Sequence, residues 1–102
     1  MGQDLSKVFD QVLSAAADGP FFPEWEFSTL MGRTKAEFRA AVGTLAPGAR
    51  VTSEQRFLLA GAINNLLGYP HGQEESWGRW LSATPDDLEQ LHVRLKAMGR
   101  EA

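Results

Sequence analysis

Residues 57–67 read Phe57-Leu58-Leu59-Ala60-Gly61-Ala62-Ile63-Asn64-Asn65-Leu66-Leu67, a run that is apolar at nearly every position. A helix that is apolar over most of its circumference has to be wrapped by neighbours on several sides. The run therefore predicts a central helix over about 53–67, and the rest of the 102-residue chain has to supply its jacket. A chain of this length builds one hydrophobic core and has no room for two, so residues 1–102 are read as a single domain. Thr52 opens the central helix with a hydroxyl cap, and Gln55 reaches back three residues to complete a capping box. Gly61 costs roughly 1 kcal/mol of helix propensity, which a close approach by a neighbouring helix would explain. Asn64 and Asn65 are costly on an apolar helix unless their amides are hydrogen-bonded, and nearby backbone carbonyls are the ordinary partners.

The jacket is legible in the same way. Leu5, Val8, Phe9, Val12, Leu13 and Ala16 fall on one stripe of a helix. Asp18-Gly19-Pro20 stops it, with Gly19 expected in the left-handed cap conformation. Pro23 suits the start of a short second helix that runs to Met31, with Glu24 and Glu26 where the helix dipole favours negative charge. Thr34 and Glu37 form another capping box before a third helix that buries Phe38, Ala41, Val42 and Leu45 and breaks at Ala46-Pro47-Gly48. Gly68 is expected to cap the central helix. A turn at Tyr69-Pro70 then leads through His71 and Gly72 to a short segment carrying Trp77, Trp80 and Leu81. The Tyr69–Pro70 bond can take the cis form at the minority frequency of such bonds. Thr84-Pro85-Asp86-Asp87 supplies a cap, a first-turn proline and first-turn acids, and Leu88, Leu91, Leu95 and Met98 form a narrow seam along the last helix. No segment alternates polar and apolar residues long enough for a convincing strand. The expected fold is all-α, a compact single-domain bundle of about five to six short helices.

Composition narrows the function more than any motif does. There are no cysteines, which excludes disulfides, thiolate catalysis and zinc ribbons. Their absence, with an N-terminus lacking a basic region followed by a long apolar run, is read as a cytoplasmic, soluble protein. No run approaches the length needed to span a bilayer. The formal net charge is −3, and basic and acidic residues are mixed along both halves of the chain. Nucleic-acid binding draws its affinity from a basic excess, so this balance argues against a nucleic-acid partner.

Catalysis needs a positioned acid, base or nucleophile. The two histidines, His71 and His92, sit in no recognisable catalytic motif, and His92 is expected at the surface. There is no Gly-x-Ser-x-Gly elbow, phosphate loop or dinucleotide fingerprint. His71 with Glu74 and Glu75 would make at most a weak oxygen-rich metal site. We read the chain as having no catalytic residues, no metal site and no cofactor.

The aromatic residues carry the remaining signal. Phe21, Phe22, Trp25, Phe27, Tyr69, Trp77 and Trp80 exceed what one stripe of a short helix requires. Most are expected in the core, with one or two offered to solvent. Trp and Tyr are enriched at binding hot spots, and loops on a rigid scaffold often carry function. Trp25, Tyr69, His71, Trp77 and Trp80 are therefore the candidate partner-binding residues of a non-enzymatic protein–protein interaction module, an adaptor, an inhibitor or a self-associating protein. A small-ligand pocket roofed by Tyr69, His71 and Trp77 is an alternative.

The stretch from Phe27 to Val42, with Gly32-Arg33-Thr34 between two helices, resembles the helix-turn-helix motif of bacterial DNA-binding proteins. That resemblance implies that Arg33, Lys35 and Arg39 face phosphates or bases. It departs from the motif at Arg33, where an apolar residue normally packs inside, and at Ser28, where a small apolar residue is usual. Separately, Phe22-Pro23-Glu24-Trp25-Glu26-Phe27, Leu30-Met31-Gly32 and Asn64 through His71 together resemble small bacterial helical proteins, a likeness that implies no activity.

Overall fold

The computed structural model describes residues 5–46, 50–69 and 72–101. Among the described residues six α-helices follow one another: α1 (Leu5–Asp18), α2 (Glu24–Met31), α3 (Lys35–Ala41), α4 (Ser53–Gly68), α5 (Trp77–Trp80) and α6 (Pro85–Glu101). A single 3₁₀ turn, Glu74–Ser76, leads into α5. No strand occurs among the described residues, so the fold is an all-α bundle.

Helix starts follow the sequence closely because they are set by local hydrogen bonds. The Thr34 hydroxyl accepts from the Glu37 amide at 3.1 Å, and the Glu37 carboxylate accepts from the Thr34 amide at 3.2 Å. Thr52 and Gln55 repeat the exchange at 3.1 and 2.9 Å. Thr84 and Asp87 make a third reciprocal pair at 3.1 and 3.0 Å, with the shorter Asp in the place of Glu.

Helix ends differ from expectation in three places. Gly19 does not adopt the left-handed conformation. It is required instead by space, because a Cβ there would lie 2.5 Å from the Ala15 carbonyl oxygen and 2.9 Å from the Phe21 ring. Gly68 is the last residue of α4, and the capping position falls to Tyr69 in an extended conformation. The third helix stops at Ala41, earlier than Ala46-Pro47-Gly48. Gly43 turns the chain at φ 84° and its N–H donates to Asp10 of α1 at 2.8 Å. Leu45 still reaches the core, from beyond the helix. Gly32 behaves as a left-handed cap, at φ 74°, with its N–H returning to the Ser28 carbonyl.

The core gathers around α4, which packs against α1, α2 and α6, while α1 also packs against α3 and α5. Phe9, Val12 and Leu13 of α1 are fully buried against Leu58, Leu59, Ala62, Ile63 and Leu66 of α4, with Leu88 and Leu95 closing the α6 side. Phe27 and Phe38 meet edge to face at 5.1 Å where α2 turns into α3. The seam of the last helix is thus taken up inside the molecule, with Leu91 half-buried against the core. The side chain of Met98, like Pro70 and His71, lies outside the described residues, and so does the isomer of the Tyr69–Pro70 bond. Among the described residues no helix is long and apolar enough to cross a membrane.

Candidate functional site

The short helix α2 is where the candidate residues converge. One face is buried through Phe27 and Met31. Three polar ties then fasten α2 to α4 along its length. Near its start, the Tyr69 hydroxyl donates to the Glu26 carboxylate at 2.8 Å. In its last turn, the Asn65 amide donates to the Leu30 carbonyl at 3.0 Å and also to Gly61 of its own helix at 2.9 Å. Just past its end, the Arg33 guanidinium grips both oxygens of Glu54 at 3.2 Å. The Asn65 amide thus bonds to backbone carbonyls as its place on an apolar helix requires, one of them on the neighbouring helix. Asn64 faces out.

Against this clamped platform Trp25 points away from the molecule, 82% exposed. The other aromatics of the candidate set do not share that position. Tyr69 is half-buried, its ring 5.5 Å from Phe22. The hydrogen bond to Glu26, with burial and the nearby negative charge, raises its hydroxyl pKa above the ordinary 10.0. Trp77 stands edge-on to Phe21 at 6.1 Å and its indole N–H donates to the Ala83 carbonyl at 2.7 Å. Trp80 is half-buried against the core. The Phe21-Phe22 dipeptide therefore carries Trp77 on one ring and Tyr69 on the other. The two act as walls of the corner between α1 and α2, and only Trp25 is offered outright. His71 lies outside the described residues.

The three basic residues of the helix-turn-helix resemblance are already engaged. Besides Glu54, Arg33 lies 3.7 Å from Glu37 and 4.7 Å above the Phe57 ring. The hydrogen bonds it donates to Glu54, then the charge of Glu54, raise the guanidinium pKa above its ordinary value. Arg39 pairs with Asp18 of α1 at 2.7 Å. The Lys35 ammonium sits 5.6 Å from the Phe27 ring. Carboxylates thus occupy two of the three positions that phosphates would have to reach.

Three exposed apolar residues were not singled out by sequence: Phe57 at 47%, Leu67 at 36% and Val93 at 63%. Phe57 and Leu67 belong to the apolar run of α4, and a helical wheel places Phe57 opposite the buried Leu59, Ala62 and Leu66. That wheel was the available signal. Phe57 and Ala60 of α4, with Arg56, Leu95 and Lys96, line an open groove of about 330 Å³ between α4 and α6. Neither Tyr69 nor Trp77, two of the residues expected to roof a pocket, lines it. His92 is half-buried rather than exposed. Burial, then the charge of Lys96, lower its pKa below 6.5. Among the described residues no group of His, Cys, Asp or Glu is arranged to hold a metal ion, and no buried side-chain polar atom lacks a hydrogen-bond partner.

Comparison of the chain with protein-family models, with curated proteins and with solved structures gives no significant match.

Proposed function

We propose that this protein is a protein–protein interaction module whose docking surface is headed by Trp25. The observation that supports the reading is the exposure of Trp25 on a helix tied to α4 at three points along its length. Tryptophan is the residue type whose burial contributes most at interface hot spots. A tryptophan has only two side-chain torsions to order and stands here on a helix already tied in place, so more of its burial appears as affinity. Glu24 beside it is exposed as well, which supplies a polar rim.

The test is site-specific photo-crosslinking in the organism that makes the protein, with a photoreactive phenylalanine analogue at position 25 and, as control, at the exposed Ala36. A discrete adduct from position 25 that is absent from position 36 is the expected result. Equal, diffuse labelling from both positions would overturn the proposal. Trp25→Ala should leave the unfolding free energy within about 0.5 kcal/mol of the parent, since the ring contributes little to the core. With the photoreactive group placed instead at the exposed Glu24, loss of its adduct on Trp25→Ala would then report on binding and not on folding.

A further inference from the structure

Along α6, Asp86, Glu89, Val93 and Lys96 recur at helical spacing and fall in one row. All four are exposed. The row is acidic toward the N-terminus, apolar at Val93 and basic toward the C-terminus. Asp86, Glu89 and Val93 border a shallow depression of about 310 Å³. Lys96 borders the α4–α6 groove with Arg56 and the half-exposed Phe57. Neither Asp86 and Glu89 at one end nor Arg56 and Lys96 at the other forms an ion pair among the described residues.

Acids near a helix start and bases near its end also suit the helix dipole, but that effect fades within the first and last turns. Glu89 lies beyond the first turn of α6 and Lys96 before its last, so the dipole accounts for neither. It does not account for the outward Phe57 and Val93 either. What the row does match is itself, run the other way.

We propose that a second copy of this chain docks on this face, α6 antiparallel to α6 about a two-fold axis. Asp86 and Glu89 of each copy then face Lys96 and Arg56 of the other, and Val93 and Phe57 are covered. A two-fold contact is self-complementary, so each charge pairing occurs twice. The face is narrow, which places the dimer among weak and transient associations. The contact does not involve Trp25, and leaves that residue exposed for another partner.

Sedimentation equilibrium of the full chain at low salt tests the proposal. The parent should show a monomer–dimer equilibrium with a dissociation constant of roughly 10–500 µM. Asp86→Lys and Lys96→Glu, each checked for folding by circular dichroism, should separately weaken it by at least about tenfold, because like charges then oppose one another twice. An equimolar mixture of the two variants should regain the parental affinity, since unlike charges face each other again. A parent that stays monomeric to about 1 mM would overturn the proposal. So would single variants that dimerise as the parent does, or a mixture that fails to recover. If the dimer survives both charge reversals and is lost in Trp25→Ala, self-association belongs to the α2 surface. That result would favour the Trp25 reading and reject this one.

Discussion

Helices α1 and α4 are built from similar apolar material and end up in different circumstances. In α1, Val8, Phe9, Val12, Leu13 and three consecutive alanines, Ala15, Ala16 and Ala17, are all buried. In α4 one face is sealed, while Phe57 and Leu67 remain at the surface. The difference lies in the neighbours. The alanines of α1 let α3, α4 and α5 approach around it, whereas α4 has α1 beneath and α2 and α6 alongside, with a strip left open between the last two. Apolar composition sets how much of a helix can be buried; the arrangement of its neighbours sets how much is.

The contrast breaks first at the core. Phe9→Ala should lower the unfolding free energy by about 3–5 kcal/mol, because the ring is fully buried and leaves a cavity. Phe57→Ala should cost about 1 kcal/mol or less, for a ring half in solvent beneath Arg33. Chemical denaturation of both variants measures the gap, and equal losses would dissolve the distinction between the helices. Asn65→Leu comes next. It removes the bonds to Leu30 and Gly61 and leaves a partly buried carbonyl at the end of α2 without its donor, for an expected loss of about 1–3 kcal/mol. A loss of that size accompanied by faster hydrogen exchange in α2 than in α3 would show that Asn65 holds α2 in place; uniform exchange would not.

Gly61→Ala runs the other way. The nearest atom to a Cβ there, the Met31 carbonyl oxygen, is 3.9 Å away, an ordinary contact. The close approach expected from sequence is therefore absent, and alanine should raise stability by about 0.5–1 kcal/mol through helix propensity. A higher thermal midpoint checks it, and a lower one would mean that the α2–α4 contact is tighter than this distance. The smallest effect concerns His92. Its imidazole gives up its proton more readily in the folded protein than in the unfolded chain. Acid therefore favours unfolding as pH falls through 6.5 and below, and the lost stability returns as pH rises past that value. His92→Gln should flatten this part of the pH profile of the urea midpoint, and an unchanged slope would place the titration elsewhere.

These effects also mark how far the sequence could be read. The all-α bundle, the central helix and the starts of α3, α4 and α6 were legible because each rests on a period of one helix or on partners three residues apart. Gly19 was legible as an interruption but not as a steric one, since the Ala15 carbonyl and the Phe21 ring close in on it only once the chain has turned. Among the candidate site residues, Trp25, Tyr69, Trp77 and Trp80 looked alike as a group. Only the folded chain separates an indole bonded to Ala83 from one standing in solvent. Arg33 read as a cation near a turn, and its partner Glu54 is 21 residues away on another helix. Phe57 and Val93 were missed for a related reason. A residue type says what it would gain from burial, and nothing in it records whether a neighbour arrives.

The threonine pairs that open α3, α4 and α6 have a bearing on the order of folding events. Each pair closes within three residues of chain, with Thr34 on Glu37, Thr52 on Gln55 and Thr84 on Asp87. Contacts so short in sequence form on the timescale of helix initiation, about 0.1–1 µs, before distant segments have met. The starts of α3, α4 and α6 therefore need no distant partner and are open to sampling while the chain is still extended, although helices this short are held only once their apolar faces dock.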